Sequence, residues 1–204
     1  MLFTPIKNQI DSLEINSISK ERKFILQPLI DFIQDKINQQ KDIKLNFICT
    51  HNSRRSHLSQ VWAQVMARYF NIENVTCFSG GTEATAMYPM SGKVLEKSGF
   101  KIDKTTETSN PIYHISYAEN ANPTIAFSKT FDDAFNPKSE FSAILTCSHA
   151  DENCPFIAGA EKRIPITYED PKAFDNTPLQ GAKYLERSLQ IATEMKFVFS
   201  QLKK

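Results

Sequence analysis

The 204-residue chain carries no excess of charge of either sign, with 24 Lys and Arg against 23 Asp and Glu and a formal net charge of +1. That balance removes the electrostatic argument for a nucleic-acid binder or a membrane-surface binder. Its longest apolar runs are a few residues, far short of the roughly 20 that a membrane span requires. Residues 1–8 lack a long apolar segment with a cleavage site, so no secretory signal is read and a cytoplasmic location is expected. There is no internal repeat and no low-complexity tract. Four cysteines, Cys49, Cys77, Cys147 and Cys154, are too few to staple a chain of this length; in a reducing compartment spaced cysteines point to catalysis or metal binding. What the chain does have is ordinary globular material, 41% hydrophobic and 23% charged residues, too rich in core formers for disorder. Its length suits one domain with an appendage.

Residues 1–43 read as a helical extension, since Leu26, Leu29, Ile30, Ile33 and Ile37 recur at three- and four-residue steps. Pro28 predicts a kink or an early helix boundary there. From residue 44 strands alternate with helices. Leu45 to Cys49 and Val75 to Ser79 read as strands, and Leu58, Val61, Trp62, Val65 and Tyr69 mark the helix between them. Ser91 to Ser98 reads as a helix stopped by Gly99. Phe141 to Thr146 and Arg163 to Tyr168 are two further strands, and Thr177-Pro178 is expected to open a final helix whose buried side is lined by Leu185, Leu189, Ala192, Phe199 and Leu202. Such alternation predicts a doubly wound α/β fold with a mainly parallel sheet and helices on both faces. Two β-like runs, 113–117 and 124–127, interrupt it and read as a β-hairpin inserted near the sheet edge.

The strongest chemical signal is Cys49-Thr50-His51-Asn52-Ser53-Arg54-Arg55-Ser56. A cysteine ends a strand, five residues intervene, and arginine plus serine enter a helix. Unpaired N–H groups at a helix start suit a tetrahedral oxyanion, and Arg55 can add a two-pronged contact that lysine could not. The same positive field favours a thiolate at Cys49. Ser56 can donate to that sulfur, and Asn52 can hold the loop while tolerating a left-handed turn.

This stretch resembles the phosphate-binding loop of low-molecular-weight protein tyrosine phosphatases and of the thioredoxin-coupled arsenate reductases that share their fold. The likeness runs from about residue 44 to the C-terminus and includes Phe78-Ser79-Gly80-Gly81; the implied fold is phosphotyrosine protein phosphatase I-like, over residues 44–204. His51 stands where these proteins usually have glycine, and Arg54 where cysteine is frequent. Cys147 to Cys154, followed by Pro155, resembles the redox segment of the arsenate reductases, which plain phosphatases generally lack. A helical separation of seven residues would set the two about 10.5 Å apart, beyond disulfide reach of roughly 4.4–6.8 Å between Cα atoms, so a bridge would require the segment to loop or unwind.

The resemblance implies a relay in which Cys49 attacks arsenate, Cys147 attacks Cys49, and Cys154 attacks Cys147 to leave a disulfide for thioredoxin. It implies an arsenate or phosphate-type oxyanion as substrate, thioredoxin as partner, and no metal or organic cofactor. Asp170-Pro171 resembles the general acid of the phosphatases, though Lys172-Ala173-Phe174 follows where those carry a tyrosine-bearing run. Ser79 resembles a position that supports the site and in some reductases helps hold potassium; Gln60 stands where those members contribute a carboxylate. Competing readings are inert buried thiols, a zinc site at Cys147, His149 and Cys154 (whose spacing fits no common zinc pair), and a phosphatase in which the later cysteines are idle. Cys77 reads as core, and His57, His114 and His149 as surface or cap residues.

Overall fold

The computed structural model describes residues 1–153 and 156–204, with Asn153 described by its backbone alone. The chain opens with helices α1 (Thr4–Asp11) and α2 (Lys20–Asn38). Strand β1 (Ile43–Cys49), helix α3 (Arg55–Tyr69), strand β2 (Val75–Gly81) and helix α4 (Pro89–Lys97) follow. Three short strands come next: β3 (Lys101–Lys104), β4 (Tyr113–Ser116) and β5 (Thr124–Ala126). The order closes with β6 (Phe141–Leu145), α5 (Ser148–Asn153), β7 (Ala160–Pro165) and α6 (Gln180–Ser200).

The main sheet has the order β2–β1–β6–β7, with every neighbouring pair parallel. Strands β1 and β6 occupy its middle, which is why both read as near-continuous apolar runs rather than alternating ones. Their side chains divide between two faces. Leu45, Phe47, Ile144 and Ile164 enter the large core with the helices, whereas Ile48, Phe141, Ala143 and Leu145 form a smaller cluster with Cys49, Cys147 and Ala150 of α5. Because all four strands run the same way, their C-terminal ends share one edge, the usual ligand edge of such sheets.

The N-terminal helices pack into the same large core through Ile6, Ile10, Leu26, Leu29 and Ile33. Lys196 of α6 donates to the carbonyls of Ile10 and Leu13 at 2.8 Å, and Arg22 of α2 makes a two-pronged pair with Glu194 at 2.9 and 2.8 Å. The expected early boundary at Pro28 does not occur; α2 runs through it. The carbonyl that Pro28 leaves unpaired belongs to Phe24, which is 81% exposed, so water can replace the lost donor.

The hairpin is present as antiparallel β4 and β5, but it belongs to a separate three-stranded sheet, β3–β4–β5. Strand β3 escapes the sequence pattern because its residues are Lys-Ile-Asp-Lys and only Ile102 is turned inward. Gln60 links the two sheets by donating to Cys77 O on β2 and to Ile125 O on β5. Strand β7 lies three residues earlier than expected. The final helix starts at Gln180 rather than at Pro178, because Thr177 Oγ1 donates back to Phe174 O and closes a turn there. Ala192 and Phe199 are on its buried side as expected, but Tyr184, Ser188, Ile191, Met195 and Val198 complete that side, with Leu185, Leu189 and Leu202 only partly covered. Ser188 is buried because it accepts the indole N–H of Trp62 at 2.9 Å.

Candidate active site

Cys49 is the last residue of β1 and is 3% exposed. The loop after it turns back at Asn52, whose φ is +44°, before α3 begins at Arg55. The left-handed residue is therefore asparagine, not His51, and histidine in place of glycine costs the turn nothing. The turn also needs Gly81, for a Cβ there would lie 2.4 Å from Glu83 O, 2.6 Å from Thr50 O and 2.7 Å from Asn52 N. Among the described residues, the backbone N–H groups of His51, Asn52, Ser53 and Arg54 donate to no protein acceptor, as an anion-binding turn requires.

Asn52 holds the loop through its side chain, as expected. Its Oδ1 accepts from Lys129 N at 3.0 Å, and its Nδ2 donates to Ser56 Oγ at 2.8 Å. Since Ser56 Oγ receives that hydrogen, its own proton is free to point at Cys49 Sγ, 3.1 Å away. A hydroxyl donor at that position stabilises sulfur in its thiolate form.

The two arginines take different partners. Arg54, largely buried, donates to Tyr184 OH at 2.5 Å and to Asp175 Oδ2 at 2.7 Å and lies over the Tyr88 ring. Burial works against the Asp175 charge, yet hydrogen bonds from Tyr184, Gln180 and Arg54 hold its carboxyl below the ordinary value. Arg54 thus clamps the loop to α6 where cysteine is frequent in the proteins it resembles. Arg55 donates to Tyr168 O at 3.0 Å and to Asp170 Oδ2 at 2.6 Å. Asp170 Oδ1 accepts from Lys172 N at 3.0 Å, so both of its oxygens are acceptors here. Arg22 of α2 lies 4.9 Å above the Tyr168 ring, which connects the N-terminal helices to this wall.

Cys147 ends up against the same loop. It is 1% exposed, receives a hydrogen bond from Ala150 N at 3.3 Å, and lies 3.5 Å from Thr50 Oγ1, next to Cys49 in the chain. His149 Nδ1 is 3.3 Å from the same hydroxyl. A pocket of about 450 Å³ opens beside them, lined among others by Arg55, Cys147, His149, Tyr168, Asp170 and Arg187. Cys154 lies outside the described residues, and so does the proposed bridge to it. Cys77 is core, with burial pushing its thiol well up.

Ser79 is paired with a histidine of α3 rather than with a loop side chain. Its Oγ is 3.2 Å from His57 Nδ1, and both residues are fully buried. The expectation that His57 is a surface or cap residue is overturned: burial, reinforced by nearby Lys129, pushes its pKa down to about 3 and keeps the ring neutral. The signal was the run from Ser56 to Ala67, which carries no charged residue and marks a helix covered on most sides. Lys129, 2% exposed and with its pKa lowered to about 8 by burial, had no such signal.

No family model matches the chain. Among curated proteins, it is 28% identical over 125 residues to an arsenate reductase of Staphylococcus epidermidis, covering 61% of this chain and 76% of that protein. It is 29% identical over 126 residues to an arsenate reductase of Brevibacillus brevis, covering 61% and 74%. A crystal structure of arsenate reductase from Archaeoglobus fulgidus superposes with a TM-score of 0.50 at 14% identity, over 76% of this chain and 98% of the other. The low-molecular-weight phosphotyrosine phosphatase of Vibrio cholerae does so with a TM-score of 0.51 at 12% identity, over 78% and 95%. The chain is thus similar in sequence to arsenate reductases, and its fold is the one they share with low-molecular-weight protein tyrosine phosphatases. In this chain the Cys49 loop is accompanied by the Arg54 clamp and by a second cysteine, Cys147, packed against it.

Proposed function

We propose that the protein reduces arsenate to arsenite by a thiol relay regenerated by thioredoxin. The reading is supported above all by Cys147 Sγ lying 3.5 Å from Thr50 Oγ1, so that a second buried thiol borders the loop of the first. In the first step the Cys49 thiolate displaces an oxygen of arsenate, which leaves as water, while Arg55 and the loop amides hold the remaining oxygens. Cys147 then attacks Cys49 Sγ. An S–S bond forms, the S–As bond breaks with its electron pair on arsenic, and As(V) leaves as As(III). Cys154 attacks Cys147, which frees Cys49, and the dithiol of thioredoxin reduces the resulting disulfide; each transfer is ordinary thiolate exchange. The process stays in the cytoplasm on this reading and needs no metal.

A phosphatase reading draws support from Asp170 at the wall of the same pocket. It is the weaker one, because both oxygens of Asp170 are engaged by Arg55 and Lys172 in this arrangement rather than turned to a leaving oxygen. The deciding experiment is arsenate-dependent NADPH oxidation with thioredoxin and its reductase, run beside para-nitrophenyl phosphate hydrolysis. Turnover in the first assay that Cys147→Ser abolishes, with residual ester hydrolysis retained, supports the reductase. Ester hydrolysis alone, indifferent to Cys147→Ser, supports the phosphatase.

A further inference from the structure

Cys147 has a difficulty that the relay does not solve. A thiol must lose its proton to attack, and this one, although it borders the pocket, is only 1% exposed. Thr50 Oγ1 touches it at 3.5 Å and is itself 3.3 Å from His149 Nδ1. Thr50 is half-buried and His149 exposed, so the three groups step from the interior to the surface. A hydroxyl carries one hydrogen and two lone pairs. Two arrangements therefore satisfy all three atoms without moving any of them. In one, Cys147 S–H donates to Thr50 Oγ1 and Thr50 O–H donates to a neutral His149. In the other, His149 N–H donates to Thr50 and Thr50 donates to a Cys147 thiolate. The two differ by two short proton shifts.

We propose that His149 takes the proton of Cys147 through the Thr50 hydroxyl, making His149 a positioning residue for the second step of arsenate reduction. The inference rests on the reductase reading. As Cys147 attacks Cys49, its proton moves to Thr50 Oγ1 and the Thr50 proton moves to His149 Nδ1. The S–S bond forms, the S–As bond breaks, arsenic is reduced by the released pair, and the imidazolium gives its proton to solvent. Ala150 N, 3.3 Å from the sulfur, adds a donor that favours the thiolate. Among the described residues, the ionisable groups that line the same pocket as His149 are Arg55, Cys147, Glu169, Asp170 and Arg187, and Asp151 two residues on is paired with Arg163.

The test uses full-length protein carrying Cys154→Ser, so that oxidation stops at the Cys49–Cys147 bond. Disulfide formation is timed at saturating arsenate, without reductant, by acid quench and peptide mass mapping across pH. His149→Asn retains an acceptor for the Thr50 hydroxyl but no base. It should slow the bond roughly 100-fold, the low end of proton-transfer assistance, and should erase the fall in rate toward acid pH. Imidazole in the buffer should restore part of the rate to His149→Gly. A His149→Asn protein that keeps the parent rate and its acid limb overturns the proposal. So does a slow variant with the acid limb intact and no imidazole rescue, which marks a structural role. If the parent itself forms no such bond with arsenate, the reductase reading falls first.

Discussion

The loop that carries Cys49 and the segment that carries Cys147 share one sheet edge but are held in different ways. The loop is tied from all sides: Asn52 to Lys129 and Ser56, Arg54 to Tyr184 and Asp175, and Ser53 O to Tyr88 N at 2.9 Å. The described part of the Cys147 segment is a six-residue helix. Its sulfur is held by Ala150 N and Thr50, and Asp151 reaches Arg163 at a half-exposed position. The contrast matches the division of labour proposed for them. An oxyanion receptor gains from donors fixed in advance, whereas a relay thiol must leave its place to meet a third sulfur beyond disulfide reach in a regular helix.

Substitutions can break or sharpen that contrast. The largest effect belongs to the loop. Gly81→Ala puts a methyl group 2.4–2.7 Å from three backbone atoms, so the loop must shift. We expect a loss of about 1–3 kcal/mol of stability in urea unfolding and at least tenfold weaker orthophosphate binding by calorimetry; unchanged binding would show that the loop is not over-determined. An effect absent at neutral pH and growing in acid concerns the buried support beneath it. His57 is neutral in the fold down to about pH 3 but protonates in the unfolded chain near 6.5. Its contribution is therefore complete above 6.5 and is lost as pH falls toward 3, at up to about 1.4 kcal/mol per pH unit. His57→Asn should flatten the stability profile across that window, and an equal slope in both proteins would contradict the assignment. The smallest effect belongs to the redox segment: Asp151→Asn removes a half-exposed ion pair and should change stability by less than about 1 kcal/mol.

Much of this architecture can be read from residue order, and the exceptions have physical causes. The central strands are legible because burial on both faces demands apolar runs such as Leu45 to Cys49. The Cys49 loop is legible because strand, turn and helix start are each written in local residue types. Strand β3 is not, since charged residues cover all but Ile102. His57 misleads for the opposite reason: a polar residue in a helix reads as surface, although Ser79 supplies it with a buried partner from another strand. Lys129 meets Asn52 across a sequence separation of 77 through its backbone N–H, and no pattern in side-chain type announces a main-chain donor. The Arg54 clamp likewise depends on Tyr184 and Asp175, brought in by the placement of α6.

On the proposed relay, two further sulfurs hand electrons to the first. Its most direct test is peptide mass mapping of the wild-type protein after one arsenate turnover without reductant. The expected product is a Cys147–Cys154 bridge, two mass units lighter than the free thiols, with Cys49 and Cys77 still open to alkylation. Arsenite formed while Cys147 and Cys154 stay fully alkylatable would contradict it.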